Sequence, residues 1–308
     1  MAEKDIAIGF IGQGFIGKNY ADDLESRGFS VVRYALEEPY AQNKDALQGC
    51  DIVFIAVPTP TIPSGETRND GHTRVMFDDH IVRESVGFTR PGATVVIKST
   101  LLPGTTASIQ EQYPDRIVLH SPEFLTEKTA AYDAAHPTRN IVGISRENDE
   151  YREAAQKVLA LLPEAPFTLV CSAATAEHIK YAANSLLFLK IVFANIFYEL
   201  AAKNGADWEQ VREAVGLDPR IGPSHLDLHL EGDAPDVMRR RGAGRSCFIK
   251  DFGALSELYE KTFPEDKDAI MAFRGFEYKN NEFLREYDRY INLLEGVYGK
   301  EAGIKKKN

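Results

Sequence analysis

The chain has 308 residues, a length that suits about two domains, and its 44% hydrophobic and 27% charged content excludes wholesale disorder. Acidic side chains outnumber basic ones by 46 to 36, and a net charge of −10 excludes non-specific nucleic-acid binding, which needs a basic surface to release counterions. Three widely spaced cysteines, Cys50, Cys171 and Cys247, form neither a disulfide framework nor a metal-ligand pattern, and they fit a reducing, cytoplasmic compartment.

The charged N-terminus, Met1 to Asp5, runs straight into a strand and carries no secretory pattern. Ile6 to Ile11 reads as a strand and Phe15 to Arg27 as a helix closed by Gly28. Further strands are expected at Phe29–Tyr34, Asp51–Val57, Ala93–Lys98 and Arg116–His120, with late strands at Asn140–Ile144 and Phe167–Val170 around a helix near Asp149–Leu162. Runs such as Ile52-Val53-Phe54-Ile55-Ala56-Val57 are apolar at every position, as strands covered on both faces must be. Strand and helix in alternation predict an α/β fold, a Rossmann-type doubly wound parallel sheet. From Ala173 to Asn204 one long helical pattern runs without Pro or Gly and ends at Gly205. Its apolar stretch, Ser185 to Leu200, is interrupted by Lys190 and Asn195 and falls short of the roughly 20 residues that span a bilayer, so a buried helix and no membrane contact are expected. Two helical stretches, a loop-rich segment from Gly222 to Arg245, and helices broken at Pro264 complete the chain, with a solvated basic tail at Lys305 to Lys307. The expected organisation is a dinucleotide-binding domain at 1–172, a connecting helix at 173–204 and a small helical domain at 205–308.

Gly12-Gln13-Gly14-Phe15-Ile16-Gly17 follows the first strand and opens the first helix. In such a loop the first Gly permits the turn, the second admits a pyrophosphate and the third lets helix pack on strand. The helix N-terminus adds unpaired N–H groups and positive potential. At the end of the second strand, Ala35 stands where an acidic residue normally holds the ribose hydroxyls. Glu37 or Glu38 is placed to substitute, and Arg33 is the candidate partner of a 2′-phosphate. NAD is preferred over NADP.

Later segments carry more chemistry. They are Val57-Pro58-Thr59-Pro60, Lys98-Ser99-Thr100 with Pro103-Gly104-Thr105, Ser121-Pro122-Glu123-Phe124-Leu125-Thr126-Glu127, and Asp133 with Pro137-Thr138-Arg139. Ala176 to Lys180 with Asn184, Gly216 to Gly222, and Ser246-Cys247-Phe248-Ile249-Lys250-Asp251 follow. In order and spacing this set, over roughly residues 5 to 285, resembles the UDP-glucose/GDP-mannose dehydrogenase family, NAD-dependent enzymes that oxidise a nucleotide-sugar alcohol to a carboxylate. The residue types suit that chemistry. A cysteine thiolate captures an aldehyde as a thiohemiacetal, which a second oxidation turns into a thioester. Cys247 is the candidate nucleophile, with Arg245 and Lys250 beside it to favour the thiolate. Lys180 and Asn184, four apart, share a helix face and suit a developing oxyanion.

The resemblance implies further roles. Asp251 would orient the lysine or a water, and Glu123 with Thr100 would activate the water that hydrolyses the thioester. The base of the first oxidation is either Lys180 or a water held by Glu123 and Asp251. Cofactor contacts fall to Gly12, Gly14, Phe15, Ile16, Gly17, Val57, Pro58, Thr59, Ser99, Thr100, Glu127 and Lys250. Substrate contacts fall to Glu123, Phe124, Leu125, Glu127, Lys180, Asn184 and Arg220, and Arg241 and Arg245 are added to them as candidates from their charge. A homodimer built on the long helix and a place in polysaccharide biosynthesis are implied as well. Glu177 and His178, about 100° apart on the helix, are not read as an acid–base pair. His225 and His229 lack a third ligand, so no metal is expected.

The sequence departs from the family in several places. It ends after the linking helices, as a short form without the C-terminal nucleotide-binding domain would. Lys128 replaces a usual Gly and Ile196 a usual Glu, and a normally glycine-rich run reads Met238 to Arg245. Arg239 to Arg241 with Arg245 are either a clamp for substrate phosphates or a solvated basic loop. Two other functions stay open at this level: a two-electron 3-hydroxyacid-type dehydrogenase, which needs no thiol, and a non-catalytic remnant that binds NAD or a nucleotide sugar.

Overall fold

The computed structural model describes residues 6–228 and 241–304. In chain order the first elements are β1 (Ile8–Ile11), α1 (Phe15–Ser26), β2 (Val31–Tyr34), β3 (Ile52–Ile55), β4 (Thr61–Thr67), β5 (Thr73–Phe77), α2 (His80–Gly87), β6 (Thr94–Ile97) and α3 (Thr105–Gln112). They are followed by β7 (Ile117–His120), α4 (Ala130–Ala135), β8 (Arg139–Ile144), α5 (Asp149–Leu161), β9 (Phe167–Ser172) and α6 (Ala173–Lys203). The last are α7 (Trp208–Gly216), α8 (Arg245–Thr262), α9 (Lys267–Glu286) and α10 (Ile291–Tyr298). The chain divides into two compact units, Met1–Thr59 with Asp78–Tyr181, and Pro60–Phe77 with Ala182–Asn308.

The first unit is built on a seven-stranded sheet in the order β2-β1-β3-β6-β7-β8-β9. Its first five strands are parallel, and Ile8, Ile52, Thr94 and Ile117 stand side by side as the first residues of β1, β3, β6 and β7. β1 and β3 are buried at every residue, because helices cover both faces. The core joins Phe10 and Phe54, stacked at 5.3 Å, with Leu24 of α1 and Tyr151, Ala155 and Val158 of α5.

The expected Rossmann-type sheet forms, with one local departure from parallel order. β8 runs antiparallel to β7, and β9 is parallel to β8, so the sheet is mostly rather than wholly parallel. Between β7 and β8 stands only the six-residue α4, about 9 Å long.

The second unit contains a feature with no counterpart among the sequence-based elements, the hairpin β4–β5. Thr61 Oγ1 donates to Lys250 O at 2.9 Å. Arg68 reaches Glu257 Oε1 at 2.5 Å and Glu277 Oε1 at 3.4 Å, and Arg74 binds Glu257 and Glu260. Val75 joins a core with Ile249, Leu284, Leu294 and Val297. A second core stacks Phe188 on Phe252 at 3.9 Å, with Val192, Ala243 and Phe283 around them. Of the two helical stretches expected after Gly205, one forms, α7, with Asp207 capping the Glu209 N–H.

The 31 residues of α6 are unbroken, and by length and composition they meet the requirement for a membrane span, contrary to the sequence-based estimate. Lys190 Nζ, within the apolar stretch of this helix, donates to Ile221 O and Gly222 O at 2.9 Å each. Leu186, Phe193, Phe197 and Leu200 of this helix are exposed.

Candidate active site

The phosphate loop in the first unit follows from its glycines. Gly12 has φ +88°, and a Cβ there would lie 2.2 Å from Ala56 O. A Cβ on Gly17 would lie 1.9 Å from Gly12 O, so only glycine lets α1 close on the turn. A Cβ on Gly14 would meet nothing within 4 Å, which leaves open the side from which a pyrophosphate approaches. No acidic residue stands in the first turn of α1, so its positive end is not neutralised. Phe15 is exposed beside this opening, while Ile16 packs against the core.

The neighbouring strand ends are tied together. Ser99 Oγ accepts from Val57 N at 2.9 Å and donates to Val57 O at 2.7 Å, and Thr59 Oγ1 donates to Thr100 O at 2.9 Å. Val57, Pro58, Thr59, Ser99 and Thr100 thus form one bonded rim at the carboxyl ends of β3 and β6, the edge where open α/β sheets bind ligands. Arg33 does not serve a 2′-phosphate. It is buried, with Nη1 2.7 Å from Asp22 Oδ1 and Nη2 2.6 Å from Glu25 Oε2, so both faces of its fork are taken. Glu37 and Glu38 are exposed beyond the buried Ala35. The glycine cradle and the engaged Arg33 fit NAD.

At the end of β7, Glu123 and Lys180 form a buried ion pair. Lys180 Nζ donates to Glu123 Oε1 at 2.8 Å and to Glu123 O at 2.7 Å, while Leu125 N donates to Glu123 Oε2 at 2.7 Å. The Phe124 ring lies under the Arg139 guanidinium at 3.8 Å. Glu127 is exposed in the same turn, and Asp133 holds Thr126 N and Thr129 Oγ1. Glu177, one turn before Lys180, is fully buried and accepts from Gly104 N at 2.6 Å, Thr106 N at 2.8 Å and Thr106 Oγ1 at 2.6 Å. It pins the loop that follows Thr100. His178 is exposed, with Nδ1 2.7 Å from Ala174 O, and shares no bond with Glu177.

The second unit holds the remaining candidates. Asn184 stands one turn beyond Lys180 on α6, and its Nδ2 donates to Asp251 Oδ2 at 2.7 Å. The other oxygen of Asp251 lies 2.5 Å from Lys250 Nζ. The aspartate therefore holds Asn184 and Lys250, and Glu123 is the carboxylate that holds Lys180. Lys250, expected at the cofactor, is an ion-pair partner.

Cys247 is the third residue of α8 and is exposed. Burial pushes the Cys50 and Cys171 thiols up, which lowers their reactivity. The segment before α8 is anchored by amides, because Gly242 N donates to Asn195 Oδ1 and Ala243 exchanges two bonds with Asn280. Arg245 has φ +66°, the left-handed conformation that a glycine adopts without strain.

Arg241 corrects an expectation. It is buried, bonded to Asn195 Oδ1 and O, paired with Glu199 at 3.1 Å, and enclosed by the rings of Tyr198, Phe283 and Tyr287. It is a structural strut rather than a phosphate ligand. Arg220 is exposed and turns back onto Asp218 at 2.6 Å. Arg239, Arg240, His229 and Lys305 to Lys307 lie outside the described residues. Sequence reasoning missed the roles of Glu177, Asn195 and Asn280; Glu177 was signalled by its place on the Lys180–Asn184 face, at i, i+3 and i+7.

A glycine loop of this shape on a sheet of this order defines the class, a Rossmann-type dinucleotide-binding protein. Comparison with known proteins narrows it. Residues 38–161 match the NAD-binding domain of the UDP-glucose/GDP-mannose dehydrogenase family and residues 174–267 its central domain. The UDP-glucose 6-dehydrogenase of Rickettsia felis is 34% identical over 270 residues, 84% of this chain and 54% of the relative. The UDP-glucose 6-dehydrogenase YwqF of Bacillus subtilis is 31% identical over 92% of this chain and 60% of its own length. A UDP-glucose dehydrogenase structure from Pyrobaculum islandicum superposes with a TM-score of 0.71 at 27% identity, covering 96% of this chain and 72% of that one. The chain belongs to the UDP-glucose/GDP-mannose dehydrogenase family, and NAD is its cofactor. It spans between half and two thirds of the length of these two curated relatives.

Proposed function

We propose that this chain is an NAD-dependent nucleotide-sugar 6-dehydrogenase. Each turnover takes the primary alcohol of a UDP-glucose-like substrate, two NAD+ and water to the uronate, two NADH and protons. The observation that carries this reading is the pair of engaged side chains on successive turns of α6, Lys180 held by Glu123 and Asn184 held by Asp251. A secured cation and a secured amide on one helix face suit a tetrahedral oxyanion, and neither must reorganise as its charge develops.

NAD, which the glycine loop and the rim of Val57, Thr59, Ser99 and Thr100 would hold, would supply the hydride acceptor for each of the two oxidations. Cys247 attacks the aldehyde carbon, keeps the half-oxidised sugar as a thiohemiacetal, and leaves when water opens the thioester. Its place in the first turn of α8, with Gly244 as a cap that offers no side chain, favours the thiolate. Lys180 and Asn184 hold the oxyanion, and Glu123 with Thr100 positions the hydrolytic water. Thr59, Ser99 and the glycine loop line the cofactor side, while Phe124, Leu125, Glu127, Arg220 and Arg245 serve the substrate. A second copy of this chain covers the apolar face of α6 in a homodimer, since Leu186, Phe193, Phe197 and Leu200 offer a surface that a soluble protein buries. The cytoplasm supplies NAD and keeps the thiols reduced, and the uronate product feeds polysaccharide biosynthesis.

The test is a panel of UDP- and GDP-sugars with NAD+, counting NADH per substrate. Two NADH with an acid product support the reading, and one NADH with a ketone product supports the 3-hydroxyacid alternative. Cys247→Ser should abolish acid formation. NAD binding without turnover across the panel would refute the dehydrogenase reading. Light scattering at monomer mass would refute the dimer.

A further inference from the structure

Lys98, the residue after β6, is 2% exposed. Its Nζ donates to Ser121 O at 3.1 Å, lies 3.4 Å from Ser121 Oγ, and sits 4.0 Å above the Tyr20 ring centre. The groups that face it are Tyr20 from α1, His120 from β7, Glu123 from the following turn and Lys180 from α6. Burial is the largest influence on the amine and lowers it to about 7, with Lys180 acting in the same direction and Glu123 against it. Burial also lowers His120 to about 3 and raises the Tyr20 phenol, so neither carries charge at neutral pH.

The Glu123 carboxylate is already occupied on both oxygens, by Lys180 and by Leu125 N. Lys98 therefore has a different task. It grips the carbonyl of Ser121, Lys180 grips the carbonyl of Glu123 two residues on, and Ser121 N donates to Ile97 O at 2.9 Å. A hydrocarbon of similar volume would fill the space without the desolvation an amine suffers. The amine has a cost to stability, and what it secures is the shape of the turn that bears Glu123.

We propose that Lys98 is a positioning residue that braces the Ser121–Glu123 turn and so fixes the Glu123 carboxylate against Lys180. Its effect on turnover rests on the function proposed above, whereas its effect on the pair does not. Lys98→Met removes the amine and keeps the stem. With 13Cε-labelled lysines, the Lys180 cross-peak, assigned by its loss in Lys180→Met, should move in Lys98→Met. In the unmodified protein it should also change in step with the Lys98 peak between pH 6 and 8, a reading that needs no Lys98 variant to fold.

The urea midpoint of Lys98→Met should exceed that of the unmodified protein at pH 7. The folded amine is held below its unfolded value, so its penalty is complete below about 7 and disappears as pH rises toward the ordinary lysine range. That gain should therefore shrink as pH rises. Turnover should fall by about 10²-fold with KM for both substrates within twofold, the signature of a displaced group near the reacting atoms. A Lys180 peak that stays put in both NMR experiments, or an unchanged kcat in Lys98→Met, would overturn the brace. An unmodified protein that turns over no nucleotide sugar would overturn the proposed function instead, and the two NMR experiments would still decide the role of Lys98.

Discussion

Replacing Glu177 with alanine tests how the loop after Thr100 is held. The carboxylate accepts three hydrogen bonds, two from Thr106 and one from Gly104, and α3 has no side-chain cap of its own. In Glu177→Ala the Gly104 N–H regains water, because Gly104 is exposed, but both Thr106 donors stay buried. At about 1–3 kcal/mol for each stranded donor, less the relief of the carboxylate's own burial, the net loss is about 3 kcal/mol. Burial outweighs the hydrogen bonds and holds the Glu177 carboxyl above its ordinary range. The unfolded chain thus loses this proton first, and the contribution of Glu177 declines as pH rises from the ordinary glutamate value through the folded one. Urea unfolding followed by circular dichroism at pH 5 and pH 8 measures both effects. The deficit of Glu177→Ala should be larger at pH 5. A deficit under about 1 kcal/mol at both pH values would refute the claim that this carboxylate pins the loop, since that is the worth of one ordinary hydrogen bond.

Gly17→Ala and Gly14→Ala should separate folding from binding. The first places a methyl 1.9 Å from Gly12 O and should lower Tm, while the second meets no protein atom and should leave Tm unchanged but weaken NAD binding by calorimetry. The unmodified protein should prefer NAD to NADP, and the double substitution D22N/E25Q, which releases the Arg33 fork, should narrow that preference in parallel titrations. Arg68→Met leaves Glu277 buried with Arg274 as its remaining cation, and should cost about 3 kcal/mol of stability in urea, the low end for breaking a buried pair.

Much of the first unit was legible because its strands state their burial outright. β1 and β3 are apolar at every residue or broken only by glycine, and α1 is announced by the glycine loop before it. Strand direction is not written in such a pattern, so the reversal at β8 was not readable. The β4–β5 hairpin was missed because Pro63, Gly65 and the Asn69-Asp70-Gly71 turn look like loop. Its strands are stabilised by α8 and α10 far along the chain, although an Asp-Gly pair before Val75, Met76 and Phe77 is a hairpin signal in itself. Spacing singled out Lys180 and Asn184 as candidates and the family resemblance added Glu123 and Asp251, but neither told which carboxylate holds which side chain. Arg241 shows the same limit. A run of arginines reads as solvated charge, and the cage that encloses this one is assembled from α6 and α9, which no local pattern links to it.

The hairpin also has a consequence for biosynthesis. Thr61 waits for Lys250, 189 residues later, before its hydroxyl finds a partner. At the usual 5–20 residues per second of ribosomal elongation, that is a delay of roughly 10–40 s. A two-stranded hairpin is marginal by itself in water, so this segment leaves the ribosome among the strands of a sheet to which it does not belong and stays uncommitted while that sheet assembles. Slowing translation between codons 78 and 245 lengthens this interval, and any chaperone dependence of the nascent chain should be greatest within it.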